Sequence, residues 1–571
     1  MKKDNSEALE QYREMVKESQ TALKAFMNEA KNAIDAYSGR LLSDEVKQAL
    51  REKGIPPIEV NLCEKPVNVV QGYYSQIMGD VGVYPVEIAD NRSASILSQA
   101  IKWNMLHKNI RDEILAAVKA SCITGIGFIE LGMNYENDIV NGDITAEYVR
   151  YSQVLWDPLA VKPTLSDAEY IIKRTFMQRR EIADMYEDYA DEIMEMKIRD
   201  SDETDLANIT LENKRRNSEY MVVDEVWYKD YTKKALVVFT EPGPDGQPIS
   251  QRVMINDYKT SDKKKIEESG GTILGIKLVR SIHKMVVVNF ELVVYDEPQP
   301  DYEEFPIVPF MYNYTPDAED WADKLRGIVK TIKPHNDEIN RRKSQMMAVT
   351  LQQPISGHYV EESSIVSLED FTQRSGPGRI IRYRGIQPQP IRGDFSALTA
   401  LINLDQMARQ DIYDSGPNPD LLGGIGGSGP SAPGITIQTR QKTALTAMQA
   451  AFDNFNRSLK AVGRIMVNLM LKNWDIEKFD RICDSEIPPE FESIRETAVY
   501  DIIVDEKVND KLYQLSVFSS LLELAKMGFQ IDPMLLLDYS GIDQSAKERQ
   551  LQYMQAQMQQ MPPGGMPNGG M

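Results

Sequence analysis

The chain has little of what most enzymes and secreted proteins are built around. Its three cysteines, Cys63, Cys122 and Cys483, are odd in number and far apart, which gives neither a disulfide framework nor a metal-ligand spacing. They read as buried small hydrophobes in a reducing compartment. Four histidines, His107, His283, His335 and His358, are scattered without ligand spacing, and His335 falls on an apolar helix stripe as a packed residue would. No Walker A lysine motif, HExxH, nucleophile elbow or CxxC pair occurs, so no catalytic residue, metal or cofactor is assigned. No run approaches the roughly 18 apolar residues of a spanning helix. The start, MKKDNSEALEQYREM, turns acidic and polar where a secretory signal would be apolar, so the expectation is a cytosolic chain that does not meet a membrane.

Positive charge is also in short supply. Lys and Arg number 65 against 86 Asp and Glu, for a formal charge of −21. A protein that grips nucleic acid normally shows a basic patch or a high pI. One that lets a duplex slide needs the opposite, because each neutralised phosphate adds affinity that would stall movement. At 571 residues the chain exceeds what one core usually serves, so two or more packed regions are expected.

The elements that are present follow from periodicity. Residues 6–37 are charged, free of Pro and Gly and followed by Gly39, which predicts a capped surface helix. Residues 91–122 predict a single helix whose buried face is Ile96, Ala100, Ile110, Ile114 and Val118, stopping at Gly125. Short β-branched and aromatic runs follow: GIGFIELGMNY, ITAEYVR, EYIIKRTFM, YMVVDEVWYKD, KALVVFT and HKMVVVNFELVVYDE. These are strands. The segment PGPDGQP is a loop between two of them, and residues 179–189 and 257–270 read as short inserted helices. The first 310 residues therefore form an α+β body.

From residue 318 the strands give way to Trp321, Leu325, Ile328, Ile332, His335, Ile339, Arg342 and Met346, spaced four and three apart on one helix face. Pro334 lies inside that pattern and predicts a kink. Residues 353–394 have little helical period and read as a compact excursion before a second helix at 395–414. The glycine- and proline-rich stretch GPNPDLLGGIGGSGPSAPG, residues 416–434, breaks the helical pattern. A flexible loop mounted on a helix at each end is placed to touch something that moves past it. Beyond it, Leu445, Met448, Phe452, Phe455, Leu459, Val462, Met466 and Leu469 mark one helix of nearly forty residues. Its stripe reads first as the core face of a long helix and second as a coiled-coil seam. TAVYDIIVDEK is a strand, two helices are expected at 510–527 and 545–560, and QMQQMPPGGMPNGGM is a low-complexity tail.

Four segments carry a family resemblance: NLCEKPVNVVQGYYSQIMGDVGVYPVEIADNRSASILSQAIKWNM, SCITGIGFIELGMNY, VLWDPLAVKPTLSDAEYIIKRTF and EFPIVPFMYNYTPDAEDWADKLRGIVKTIKPHNDEINRRKSQMM. With the order of elements, they resemble the portal proteins of tailed double-stranded DNA phages, more closely those of short-tailed phages, the podoviruses. The resemblance implies an α+β wing at 1–317, a first stem helix at 318–350, a clip at 351–394 and a second stem helix at 395–415. It further implies a tunnel loop at 416–434, a long helix and C-terminal wing at 435–504, a short crown at 505–560 and a disordered tail at 561–571. The region after Val504 is too short for a long helical barrel. By the same resemblance the chain is a non-enzymatic portal subunit, self-assembled into a dodecameric ring at the unique capsid vertex of the virion after assembly in the host cytoplasm. It conducts double-stranded DNA without sequence preference during packaging, retention and ejection. Its expected partners are the ATP-driven large terminase, the head-to-tail adaptor, the major capsid protein and the scaffold.

The resemblance makes Gly423, Gly424, Ile425, Gly426, Gly427, Ser428, Gly429 and Pro430 the channel-facing loop. Gly424, Gly426 and Gly429 also match GxGxxG, but no strand precedes them and Pro430 follows, which argues against a dinucleotide site. A dodecamer would carry roughly −250 charges, so the wall repels the duplex except at local cationic rings. Arg341, Arg342, Lys343, Arg440 and Lys442 are candidates for those rings, with solvation or ion pairing between subunits as the competing account. Arg374, Arg379, Arg382, Arg384 and Arg392 face Glu361, Glu362, Glu369 and Asp370 within the clip. They suit either a docking interface or a salt-bridged ring. The alternatives of other classes are a nucleic-acid-processing enzyme of the packaging machinery and a scaffold that forms no ring.

Overall fold

The computed structural model describes residues 2–85, 91–196, 220–242, 248–255, 271–352, 396–417, 434–483 and 500–505, with short stretches at 263, 266, 358–359, 384–385, 389–390, 491, 518, 521–522 and 524–526. Helix α1 (Lys2–Tyr37) spaces Tyr12, Val16, Ser19, Leu23, Phe26, Ala30 and Ala33 three or four residues apart, and all are buried. The expected surface helix is thus a core helix on one face, because its charged residues leave a continuous apolar stripe. It ends as anticipated. Gly39 adopts φ +82 and Arg40 N–H donates to Asp35 O at 2.8 Å, a left-handed cap that glycine accepts without strain.

After α2 (Asp44–Glu52) and α3 (Glu64–Ile77), the single helix expected over 91–122 proves to be two, α4 (Asn91–His107) and α5 (Ile110–Thr124). Asn109 takes φ 55 between them, and its carbonyl accepts from Asp112 N–H. The chain bends there while Ile96, Ala100, Ile110, Ile114 and Val118 remain fully buried, so the apolar period survives a break in the backbone. Helix α5 stops at Gly125, φ +102.

Two antiparallel sheets follow. Strand β2 (Ile126–Asn134) is the middle of a three-stranded sheet between β3 (Asp143–Val149) and β10 (Ile307–Met311). The larger sheet runs β4 (Val154–Trp156), β5 (Tyr170–Gln178), β6 (Tyr220–Pro242), β8 (Gly271–Val288) and β9 (Leu292–Pro298), with β7 (Pro248–Ile255) on the far half of β6. YMVVDEVWYKD and KALVVFT, read as separate strands, are one 23-residue strand, since β8 pairs along both. The expected loop PGPDGQP falls where Pro242 pairs with Pro248. The helix at 179–189 appears as α6 (Arg179–Met185) and a short 3₁₀ turn, followed by α7 (Ala190–Glu195). Strand alternation divides the sheet's faces. Val226, Met285 and Val287 point to α1, while Met221, Val223, Val286 and Val288 pack under Ile182 and Ile193 of α6 and α7.

A buried ion pair ties α1 to this sheet. Arg174 makes two bonds to Asp224, at 2.7 and 2.6 Å, and the Tyr12 hydroxyl donates to the same carboxylate at 2.5 Å. The guanidinium also lies 4.6 Å from the Phe290 ring centroid. Burial, then the Asp224 charge, push the Tyr12 phenol well above its usual pKa, so it remains a donor. The three cysteines are free and buried, and burial raises the Cys63 thiol to about 12.

The largest core gathers α3, α4, α5 and the forty-residue α11 (Gly434–Asn473). Along α11, Met448, Phe452, Phe455, Leu459, Val462, Met466 and Leu469 are all buried, as the core-face reading requires. Tyr74 of α3 meets Phe455 edge-on at 5.0 Å, and Tyr73 stacks on Phe452 at 5.9 Å. Strand β13 (Tyr500–Asp505) is the one expected in TAVYDIIVDEK, and it pairs with β1 (Asp80–Pro85). The helices expected at 257–270, 510–527 and 545–560 and the tail at 561–571 lie largely or wholly outside the described residues.

Candidate functional site

The helix expected to begin near residue 318 is interrupted. A single turn, α8 (Trp321–Lys324), is followed by extended Leu325, which bridges Tyr314, and the helix restarts as α9 (Ile328–Gln352). Gly327 causes the break by close approach. A Cβ there would stand 2.5 Å from Ile123 O, and one on Gly127 would stand 2.1 Å from Ala117 O. The start of α9 is therefore seated on the end of α5, which itself packs closely on β2. Lys330 fixes the same end through Ala322 O at 2.7 Å and Glu29 at 2.5 Å. Pro334 stays within α9 as its seventh residue; a first-turn position would have cost nothing, so this one removes an internal donor.

Helix α10 (Ser396–Ser415) runs antiparallel to α9. A Cβ on Gly416 would lie 3.2 Å from Ile332, while Arg342, ten residues on, donates to Leu404 O. The base of this pair is in the core through Ile328, Val329, Ile332, Ile339, Ala408 and Ile412. Its outer side differs. Met407, next to buried Ala408, is 63% exposed, and farther from the base Leu404, Ile402 and Met347 are each exposed by more than 40%. Beyond it, β11 (His358–Tyr359) pairs with β12 (Gln389–Pro390), which draws together the two ends of the excursion.

The inner face of α9 is polar. Asn336, Asn340 and Ser344 are buried, and Asn340 accepts from Val60 N–H at 2.8 Å and donates to Val60 O at 3.2 Å. Ser344 accepts from Ile58 N–H at 3.2 Å. An extended stretch advances about 6.6 Å in two residues and a helix about 6 Å in four. Successive rungs, Ile58 with Ser344 and Val60 with Asn340, therefore stay in register. Asn336 is the next position up, and its amide atoms have no partner among the described residues. Sequence reasoning passed over this mount, although asparagines four apart in a helix were its signal.

The predicted charges are not equivalent in the structure. Arg341 is exposed; Lys343 is half-buried. Arg342 is committed within the chain to Glu338 and to Leu404 O, so it staples α9 to α10. Arg440 and Lys442 sit in the first turns of α11, but their side chains are outside the described residues. The same holds for Gly423 to Pro430 and for Arg374, Arg379, Arg382 and Arg392. Arg384 is exposed. His335 is half-buried, and among the described residues no group of three His, Cys, Asp or Glu could hold a metal. No described helix is long and apolar enough to cross a membrane.

The far end of α11 is latched to the hairpin of β2 and β3. Lys478, in α12 (Ile476–Ile482), is buried and bonds Asp143 at 2.9 Å, Asp138 at 3.2 Å and Gly142 O, with its ammonium 4.6 Å from the Trp474 ring centroid. Burial alone would raise the Asp143 carboxyl, but Lys108 and Lys478 outweigh it and hold it below the usual range. Both ends of the helical region are thus anchored on an α+β body.

The described residues thus form an α+β body that carries an antiparallel helix pair and one very long helix. The sequence comparisons identify the family. The profile of the phage P22-like portal proteins matches residues 13–568, and the chain belongs to that family. It is also similar to the portal protein of Helicobacter pylori bacteriophage KHP30, at 22% identity over 207 residues, or 36% of this chain. The match spans about a third, 31%, of that relative's length.

Proposed function

We propose that the chain is the subunit of a ring-shaped portal at one capsid vertex, through which double-stranded DNA is packaged, retained and ejected. The observation that carries the reading, within the portal family, is the helix pair α9 and α10. It is rooted at its base in the body and leaves Met347, Ile402, Leu404 and Met407 uncovered on its outer side. Apolar groups in that position are covered when copies stand side by side. The chain then acts as a conduit, not an enzyme. Its acidic balance favours it, since a wall of net negative charge holds DNA weakly and lets it slide.

On this reading α9 and α10 are the stem, residues 351–394 the clip and residues 416–434 the tunnel loop. Gly423 to Gly429 face the duplex, where small residues let neighbouring loops crowd a narrow opening. Arg341 is the best placed of the proposed channel cations, because it alone is described as exposed and Arg342 is spent within the chain. The clip arginines dock the terminase during packaging and the adaptor afterwards, while the wing meets the capsid and scaffold. Native mass spectrometry with single-particle imaging tests the ring. A closed dodecamer of the 64.8 kDa chain with a central hole is expected. A monomer or dimer that persists across salt and concentration would refute it. Replacing residues 423–429 by a short rigid linker should spare the ring and impair packaging or retention; normal packaging would sink the loop assignment.

A further inference from the structure

A cavity of about 280 Å³ opens between the larger sheet, the loop at 162–166 and α11. Its rim carries Lys162, Lys229, Arg280 and Arg464 and a single acid, Glu304, in a chain whose acids outnumber its bases. Glu304 is taken by Arg464 at 3.1 Å. The other carboxylates nearby do not line the cavity; they keep their charge and direct oxygens to neutral donors. Asp167 accepts from Val161 N–H and Lys162 N–H, Asp157 from Leu159 N–H and Glu169 N–H, and Glu169 from the Tyr231 hydroxyl. Lys229 reaches only a carbonyl, Ser166 O at 2.9 Å, and lies 5.4 Å from the Phe305 ring centroid. Arg280 likewise reaches the carbonyl of Glu303 at 3.1 Å. Burial holds the Lys229 ammonium below its usual range, with Arg280 adding to that and Glu169, Asp167 and Asp157 working against it.

Three cations that bond carbonyls or meet solvent, with no carboxylate in direct contact among the described residues, keep donors available to an anion. The floor is of another character: Leu165, Ile171, Phe305, Ile307 and Ile465 are buried and apolar. A duplex about 20 Å across cannot enter a recess of this size, whereas a compact phosphate with a small organic body can. We propose that this cavity binds a phosphate dianion, its charge held by Lys229, Arg280 and Lys162 and any apolar body lodged against Phe305. None of its lining residues belongs to the helix pair.

Titration calorimetry of the full-length chain tests this, with inorganic phosphate and adenosine monophosphate as probes and adenosine as the control at matched ionic strength. Saturable binding of phosphate is expected, weakened about tenfold in Lys229→Met and severalfold in Lys162→Ala. Lys162 is exposed and its side chain makes no described bond, so Lys162→Ala should leave the unbound melting temperature unchanged and report on the site even if Lys229→Met fails to fold. Tighter binding of the monophosphate than of phosphate identifies a nucleotide-like source, and equal binding identifies free phosphate. Absence of saturable binding for both probes, or affinity unchanged in Lys162→Ala and Lys229→Met, would overturn the proposal.

Discussion

Helices α9 and α11 carry the same sequence signature and use it differently. Both space apolar residues three and four apart, and α11 buries every described member of its stripe from Met448 to Leu469. In α9 the stripe is only half-buried at His335, Arg342 and Met346, while Asn336, Asn340, Ser344 and Ala348 turn inward. The neighbours explain the difference. Helix α11 packs against the side chains of α3, α4 and β10, which offer apolar surface. Helix α9 lies along the extended backbone at 58–60, whose N–H and C=O groups need partners once buried. A run of threes and fours also averages 3.5 residues per turn and drifts across the face of a 3.6-residue helix. The lesson is that an apolar stripe predicts burial only where the neighbour is itself a side-chain surface.

Four substitutions probe that contrast. The largest effect is expected for Phe455→Ala, which empties the contact with Tyr74 and should cost about 3–5 kcal/mol in denaturant unfolding. Next is Asn340→Leu, an apolar change in a buried helix face that should nevertheless destabilise by about 2–3 kcal/mol, because both Val60 backbone groups lose their partner. A gain in stability there would break the comparison. Met466→Leu, the matching apolar swap in α11, should cost less than about 1.5 kcal/mol. Smallest is Met407→Ser on the uncovered side of α10, which should stay within about 0.5 kcal/mol in the isolated chain. The same variant should lower the fraction of protein in rings on native mass spectrometry. An unchanged ring fraction would mean that Met407 is not covered on assembly.

Much of the fold was legible before the structure. Composition without Pro or Gly located α1, amphipathic period located α11 and, as one helix, the α4–α5 stretch, β-branched and aromatic runs located the strands, and Gly39 and Gly125 marked helix ends by their left-handed backbone. What escaped was decided by distant contacts. The interruption at Leu325 depends on Gly327 meeting the Ile123 carbonyl, some two hundred residues earlier in the chain, and the continuity of β6 depends on β8 pairing across both of its halves. At the candidate site the helix order was readable, but Arg342 was indistinguishable from Arg341 because commitment to Leu404 O is invisible without α10 in place. The phosphate cavity had no local signature at all, since Lys162, Lys229, Arg280 and Arg464 come from four separate segments.

The sequence by itself determined which residues seek burial, where the backbone must turn and how much charge the chain carries, and its motifs pointed to the portal family. Those properties are local or additive, so a single strand of text contains them. The tertiary structure alone decided which face of α9 turns inward, which cations are spent within the chain and which converge on an open cavity. Such outcomes depend on pairwise distances, and burial of a donor or a charge is favourable only if its partner arrives at hydrogen-bonding range.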